Sequence, residues 1–285
     1  MHPRTGRRPH LLTSVAAAGL LAVALGGCKT MSPTASTGTL ATPAAPHADT
    51  DWRQEADIWG ERYRAKPKDP DIAIHYAHAL GENGQRTQAA AVLAQASIHN
   101  PHNRAVLGAY GRALAEVGNY GQALEVLGHA HTPDQPDWRI LSAQGAVLDQ
   151  MGRHKEAQRY YASALKIQPN DPSVLSNLGL SYALTKDLTD AEATLRRAVA
   201  QPGADPRVRQ NLALVVGLQG RYAEAEKIAT ADLPPADAAA NIAYLKQMMA
   251  RQDDERKPAR RTTRARVPGP QAALRRPTVT ASASP

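Results

Sequence analysis

Two pairs of histidines have the spacing that metal sites on helices use. His75 and His78 lie three residues apart, as do His99 and His102, so each pair would share one helix face. No convincing set of Asp, Glu or Cys residues nearby completes either pair, so we interpret them as surface histidines. The sequence also lacks a phosphate-binding P-loop, a Gly-x-Ser-x-Gly elbow and a His-Glu-x-x-His zinc helix. We predict that the chain is not an enzyme and binds no metal or cofactor. A cryptic enzyme built on the histidine pairs is the weakest alternative.

The sequence contains one cysteine, Cys28, so neither a disulfide within the chain nor a site of several thiolates can form. Its chemistry follows from its position. Residues 1–10 are basic and polar, residues 11–27 are apolar or small, and two glycines directly precede the cysteine. A charged segment, an apolar segment and small residues, in that order, are typical of a secretory signal peptide.

With the cysteine after the small residues, this segment resembles the lipobox of bacterial lipoproteins. The resemblance implies cleavage before Cys28 and acylation of its thiol, so we predict a signal peptide over residues 1–27. An uncleaved anchor is the alternative, but 17 apolar or small residues interrupted by Thr13 and Ser14 are marginal for crossing a bilayer. The resemblance also implies the outer membrane, facing the periplasm, because Lys29 stands where Asp commonly signals retention in the inner membrane. The Thr/Ala/Pro/Ser-rich residues 28–50 are predicted to be a flexible tether.

The net charge of +8 is concentrated at the two ends of the chain. Residues 1–27 carry three arginines, and residues 251–285 carry nine Lys/Arg against three Asp/Glu. The remainder is close to neutral, which excludes a basic nucleic-acid-binding domain. We predict that residues 252–285, rich in Arg and Pro, are disordered. They are either a solvated tail or an electrostatic contact with peptidoglycan, anionic lipid or an acidic partner.

Between the two ends the sequence repeats itself every 34 residues. A first column of small residues reads Ala77, Gly111, Gly145, Gly179, Ala213, and a second reads Ala89, Ala123, Ala157, Ala191, Ala225. Between them a turn column reads Gly84, Gly118, Gly152, Lys186, Gly220. Small residues at two crossing points let paired helices approach closely, and glycine at the turn supplies the positive φ that ends the first helix. Because Lys186 replaces glycine in the fourth copy, that turn is predicted to differ in conformation.

These columns resemble the tetratricopeptide repeat, most clearly in Gly179 with Tyr182 and in Gly145 with Tyr161. We therefore predict an all-α, right-handed superhelical solenoid over residues 51–251. Its predicted parts are a half repeat (51–69), five repeats (70–103, 104–137, 138–171, 172–205 and 206–239) and a capping helix (236–251). Such ends are needed because each repeat buries its apolar face only against its neighbours.

In this repeat family the first helix of each pair lines a concave groove. The candidate partner-binding residues on that face are Arg112, Arg139, Asn177, Leu180, Arg207, Gln210, Asn211 and Leu214. Apolar anchors beside amide and guanidinium groups suit an extended or helical peptide. The alternative is that Leu180 and Leu214 pack between helices, and that the two asparagines only stabilise the helix pair. The groove does not match the lysine-rich carboxylate clamp of chaperone-binding members.

Several segments are similar to a narrower family. They are LDQMGRH at 148–154, DPSVLSNLGLSYAL at 171–184, VRQNLALVVGLQGR at 208–221, AEAE at 223–226 and DLPP at 232–235. They resemble the TadD-type lipoproteins of the Tad (Flp) pilus assembly system, from about residue 50 to residue 250. The resemblance implies a pilotin-like role, in which the protein helps the secretin or another Tad component to localise and assemble.

The expected contacts are therefore a protein partner and the membrane through the N-terminal lipid, with no nucleic acid and no small-molecule substrate. The alternative function is a general cell-envelope adaptor, for cell-wall hydrolases or for outer-membrane protein assembly.

Overall fold

A computed structural model describes residues 49–256 of the chain, which form twelve α-helices. In chain order they are α1 (Asp49–Ala65), α2 (Pro70–Glu82), α3 (Arg86–His99), α4 (Arg104–Glu116), α5 (Tyr120–Gly128), α6 (Trp138–Gln150), α7 (His154–Ile167), α8 (Pro172–Leu184), α9 (Leu188–Val199), α10 (Pro206–Leu218), α11 (Tyr222–Ala229) and α12 (Pro235–Arg256). The signal peptide, Cys28, most of the tether and most of the basic tail lie outside the described residues. Among the helices described, none combines the length and apolar character needed to cross a membrane.

Five helices start in strict register, because the same kind of residue caps each of them. Helices α2, α4, α6, α8 and α10 begin 34 residues apart, at Pro70, Arg104, Trp138, Pro172 and Pro206. The residue before each start is Asp69, Asn103, Asp137, Asp171 or Asp205. Each of these side chains accepts a hydrogen bond from a backbone N–H of the first turn, which would otherwise lack a partner. The five capped helices are the first helices of five helix–turn–helix units, as the all-α solenoid prediction required.

The helices pack in sequence, and one set lies on the inside of the curve. Each helix contacts the next one along the chain. The last helix, α12, packs against α10 as well as against α11. Successive first helices also contact one another, from α2 to α10, whereas within the described residues α3, α5, α7, α9 and α11 make no such contacts. Since the first helices are closer together than the second helices, the solenoid curves with its first helices on the concave side.

At the first small column the paired helices approach each other closely. A Cβ atom added at Gly145 would lie 2.6 Å from Cε1 of Tyr161, and one at Gly179 would lie 2.6 Å from Cγ of Leu195. Tyr161 and Leu195 belong to the second helices α7 and α9, and both are buried. The close approach predicted from the column is confirmed.

The turn column adopts one backbone conformation in all five repeats. Gly84, Gly118, Gly152 and Gly220 have φ between 75° and 84°, and Lys186 has φ 65°. The prediction that the fourth turn differs in conformation is therefore wrong. The repeat geometry imposes the left-handed conformation on Lys186, although a side chain there costs about 1–2 kcal/mol.

The two ends of the solenoid are longer than the sequence predicted. Helix α1 begins at Asp49, inside the predicted tether, and α12 ends at Arg256, inside the predicted tail 252–285. The C-terminal extension follows from its composition, because residues 251–256 read RQDDER and the first proline comes only at Pro258. The capping helix packs through Ala238 and Ile242.

We expect Gly145→Ala to lower the free energy of unfolding by about 1–3 kcal/mol, because the added methyl group overlaps the ring of Tyr161. Gly121→Ala in α5 is the matched control. A Cβ atom there meets nothing within 4 Å, so this change should leave stability equal or higher. Chemical denaturation of both variants measures the difference, and equal losses would contradict the close-packing account.

We expect Lys186→Gly to raise the free energy of unfolding by about 0.5–1 kcal/mol, because relief of the positive φ outweighs the added entropy of the unfolded chain. Gly152→Ala, at the same position of the preceding repeat, should lower it. Thermal and urea unfolding report both changes. A destabilised Lys186→Gly protein would show that the lysine side chain itself holds the turn.

Candidate protein-binding surface

A cavity of about 640 Å³ opens on the concave side, where the first three repeats meet. Its walls come from the first helices α2, α4 and α6 and from the loop between α5 and α6. The apolar part of the wall includes Ile74, Ala130, Pro136, Trp138 and Ile140. The volume is within the range of about 300–1,000 Å³ that is common for ligand sites.

The cavity exists because the second repeat is irregular. Helix α5 ends at Gly128, whereas the second helices α3 and α7 run for 14 residues each. Pro133 and Pro136 follow, and a single β-bridge joins Thr132 to Gln135. Because proline cannot continue a helix, residues 129–137 form a loop that reaches the concave side.

Two contacts fix this loop against the first helices. Ala130 is buried, and Nε2 of His131 lies 3.3 Å from Oε1 of Gln144 on α6. The other ring nitrogen of His131, Nδ1, is buried and has no hydrogen-bond partner among residues 49–256. On the opposite wall, Gly108 leaves room for Ile140, whose Cδ1 would lie 2.7 Å from an added Cβ.

Three arginines line the cavity, and each is held in a different way. Nη1 of Arg104 donates to Oε1 of Gln135 at 2.6 Å, which ties the loop to α4. The guanidinium of Arg139 lies over the ring of Trp138, 4.4 Å from its centroid, as in a cation–π contact. Burial lowers the pKa of Arg112, and Asp137 and Glu116 partly offset this effect. The Arg112 side chain is reached by water but has protein on several sides, as expected on a concave surface.

Of the eight groove residues predicted from the sequence, the cavity brings together Arg112 and Arg139. The polar residues Arg104 and Gln135 and the aromatic Trp138 were not among the predicted set. The one sequence signal for them is the interrupted proline pattern at Pro133 and Pro136, which marks an irregular connection.

The predicted asparagines lie between successive first helices. Nδ2 of Asn211 on α10 donates to Oγ of Ser176 on α8 at 3.0 Å. Asn177 on α8 makes the equivalent, longer bond of 3.4 Å to Ser142 on α6. These bonds hold neighbouring first helices together, which is the structural role that the sequence left open.

The other predicted residues lie apart from the cavity. Leu180 and Leu214 are half-buried, and Gln210 is exposed. Arg207 is 83% exposed at the side chain and forms a two-point ion pair with Asp205, the cap of its own helix. Hydrogen bonding to Asp205 raises the pKa of Arg207, and the charge of Glu82 at the end of α2 makes a smaller contribution in the same direction. The binding role of these four residues stays a prediction.

Three of the four paired histidines pack against an aromatic ring or hydrogen-bond to a side-chain amide. His75 stacks on Trp59 at 4.5 Å, and His78 meets the edge of Trp52 at 5.4 Å. His99 hydrogen-bonds with Gln95. Within the described part of the chain, no group of three or more His, Cys, Asp or Glu side chains could hold a metal ion.

Comparison with known proteins agrees with this geometry. The sequence pattern described as the tetratricopeptide repeat matches residues 82–145 and 150–215. This chain carries tetratricopeptide repeats. Such repeats generally form non-catalytic scaffolds for protein–protein interaction, and no enzyme family matches the chain. No curated protein matches it in sequence.

Three solved structures illustrate the shared fold. A tetratricopeptide repeat protein from Parabacteroides merdae has a TM-score of 0.59 at 13% identity, covering 70% of this chain and 78% of that one. The Cut9–Hcn1 hetero-tetramer of APC/C has a TM-score of 0.57 at 16% identity, covering 70% of this chain but only 40% of that one. PilW, a type IV pilus biogenesis factor, has a TM-score of 0.56 at 18% identity, covering 64% and 86%. At these identities the similarity shows the tetratricopeptide-repeat fold alone.

We expect Asn211→Ala to lower the free energy of unfolding by about 1 kcal/mol, because it removes a bond between two first helices. A double-mutant cycle with Ser176→Ala should give a coupling energy of similar size. Asn177→Ala is the internal comparison and should cost less, since its bond is longer. A coupling energy of zero would show that the bond to Ser176 contributes no stability, and Asn211 would again be a candidate for binding a partner.

Proposed function

We propose that this protein is a lipid-anchored scaffold that holds a segment of another protein on its concave surface during pilus assembly. The observation that carries the scaffold function is the cavity between repeats one and three. It lies on the inner side of a repeat fold that generally serves protein–protein interaction, and it combines apolar walls with three guanidinium groups. Apolar contact area supplies affinity, and the charged groups fix the register of the bound chain.

Two observations support the pilus role, one from the sequence and one from the fold. Segments from 148 to 235 resemble TadD-type lipoproteins, and the fold is shared with PilW, which is named a type IV pilus biogenesis factor. From these we infer a pilotin-like task, in which the protein helps the secretin or another Tad component to localise and assemble for Flp pilus secretion. The cell-envelope adaptor is the second candidate. The Cut9–Hcn1 assembly, which is not a pilus protein, is as similar to this chain in structure as PilW is, so the shared fold does not by itself select the pilus role.

The anchor belongs to the same proposal. Acylation of Cys28 after removal of residues 1–27 would attach the solenoid to the outer membrane on its periplasmic side. Two acyl chains give stable anchoring, because each buried methylene contributes about 0.8 kcal/mol. About twenty tether residues would let the solenoid reach a partner away from the lipid surface.

The test is capture of partners by the acylated full chain, purified from envelope membranes after mild cross-linking. We expect the secretin as the major product. Ala105→Trp should reduce capture, because Ala105 is an exposed residue of the cavity wall and an indole there fills the opening. Arg197→Ala, an exposed arginine on α9, is the control and should capture normally.

Two further variants separate the parts of the proposal. The double change Arg207→Glu and Leu214→Ala tests the C-terminal half of the groove, and loss of capture there would extend the contact beyond the cavity. Cys28→Ser should lose incorporation of a fatty-acid label. A deletion strain that still assembles its secretin and pili normally would contradict the pilus role. Recovery of a cell-wall hydrolase or of outer-membrane assembly proteins instead would favour the adaptor.

A further inference from the structure

The cavity gathers three arginines that are far apart in the sequence. From Thr87 to Gly152 the sequence contains three Lys/Arg residues, Arg104, Arg112 and Arg139, and all three line this one space. A solenoid of this kind has a large convex surface on which such residues could lie at no cost. Their convergence on the concave side makes the cavity a local centre of positive charge, while the other cations of the third repeat lie on or next to its second helix α7.

The cavity arginines differ from most arginines of the later repeats in having no carboxylate partner. Arg196 and Arg221 are paired with Glu192 and Glu224, and Arg209 is paired with Asp232. Over residues 49–256, neither Arg104, Arg112 nor Arg139 has a carboxylate within 4.0 Å that forms an ion pair.

The acidic residue of the cavity wall is already engaged. Asp137 accepts the backbone N–H of Arg139 at 2.7 Å as the cap of α6. The neutral partners, Gln135 for Arg104 and the Trp138 ring for Arg139, leave most of the guanidinium donors free.

The three arginines line a concave opening that water reaches, and all three are exposed to solvent. Arg112 is partly desolvated, and burial together with the charge of Arg139 lowers its pKa. A guanidinium in such a place is stabilised by an incoming carboxylate, which it can bind through two parallel hydrogen bonds.

The apolar walls identify what carries the carboxylate. Ile74, Ala130, Pro136 and Ile140 form much of the lining beside the arginines. A free phosphate or a lipid headgroup is polar on every side and gains nothing from these walls, whereas a peptide offers carboxylates and apolar side chains together.

We propose that the cavity receives an acidic segment of the partner protein, with Asp or Glu carboxylates bound by Arg104, Arg112 and Arg139. An apolar side chain beside the carboxylates packs against Ile74 and Pro136. This assignment rests on the proposed scaffold function and names the chemistry of the segment that the scaffold holds. It also places the primary contact in repeats one to three, whereas six of the eight groove residues predicted from the sequence lie in repeats four and five.

A display library of random twelve-residue peptides, selected on the purified full chain, tests the assignment without knowledge of the partner. We expect bound peptides to be enriched in Asp and Glu next to an aliphatic or aromatic residue. The enrichment should disappear when the selection is repeated on Arg112→Ala/Arg139→Ala. Neutral or basic peptides as the main product, or acidic enrichment that survives in the double variant, would overturn it.

The most enriched peptide, labelled with fluorescein, then gives dissociation constants by anisotropy. Arg112→Ala should weaken binding at least about tenfold, and Arg112→Lys should restore part of the loss, since lysine keeps the charge but not the two-point contact. Arg197→Ala should bind as the unchanged chain does. Unfolding curves of each variant show whether the fold is intact, and equal affinity in a folded Arg112→Ala protein would refute the proposal.

Competition distinguishes the peptide from other anions. Inorganic phosphate, and vesicles that contain phosphatidylglycerol, should displace the labelled peptide no better than chloride at equal ionic strength. Displacement by either one specifically would reassign the cavity to a phosphate group.

Capture from envelope membranes separates this inference from the proposed function. If Arg112→Ala/Arg139→Ala captures the secretin as well as the unchanged chain does, the acidic-segment assignment is wrong and the scaffold function stands. If the unchanged chain captures no envelope protein, the scaffold function itself fails.

Discussion

Close approach of neighbouring helices is the constraint on which the rest of this structure depends. No single helix pair here can bury its apolar face alone, so every pair must be completed by the next one. Glycine or alanine at the crossing points lets each first helix lie directly against its partner, as Gly145 does against Tyr161. The 34-residue step then propagates that geometry, and the curvature follows because first helices also contact the first helices of neighbouring repeats.

Polar contacts stabilise the same arrangement without producing it. Asp149 on α6 is contacted by His154, Tyr161 and Ser181, so one carboxylate joins α6, α7 and α8. Burial raises the pKa of Asp149 even though its neighbours favour the charged form. Farther along, Glu192 connects α9 to the turn before α11 through Arg221. The regular repeats are thus linked at the level of individual side chains, whereas the second and fifth repeats have shortened second helices, α5 and α11.

The repeat and its register could be predicted from the sequence because both follow from local rules. Small residues, turn glycines and their spacing define where each pair begins, and the column of capping residues from Asp69 to Asp205 was a further signal of the same kind. The local rule failed at Lys186. It predicted a different turn because lysine disfavours a positive φ, but the repeats on either side impose the positive φ on this residue. The local rule also failed to show that Arg207 is engaged. This arginine lies two residues after the capping Asp205 and forms an ion pair with it at the start of the same helix. The cavity could not be predicted, since it needs the curvature, the short α5 and the path of the following loop together.

The scarcity of aromatic residues has an optical consequence. The chain has three tryptophans and no phenylalanine, and Trp52 and Trp59 both lie on α1, beside His78 and His75. Trp138, by contrast, lies in the cavity wall under the guanidinium of Arg139. Replacing the two indoles of α1 would leave Trp138 as the one tryptophan, located in the wall of the arginine-lined cavity. Its emission wavelength and quenching would then report hydration of that space in the unlabelled protein.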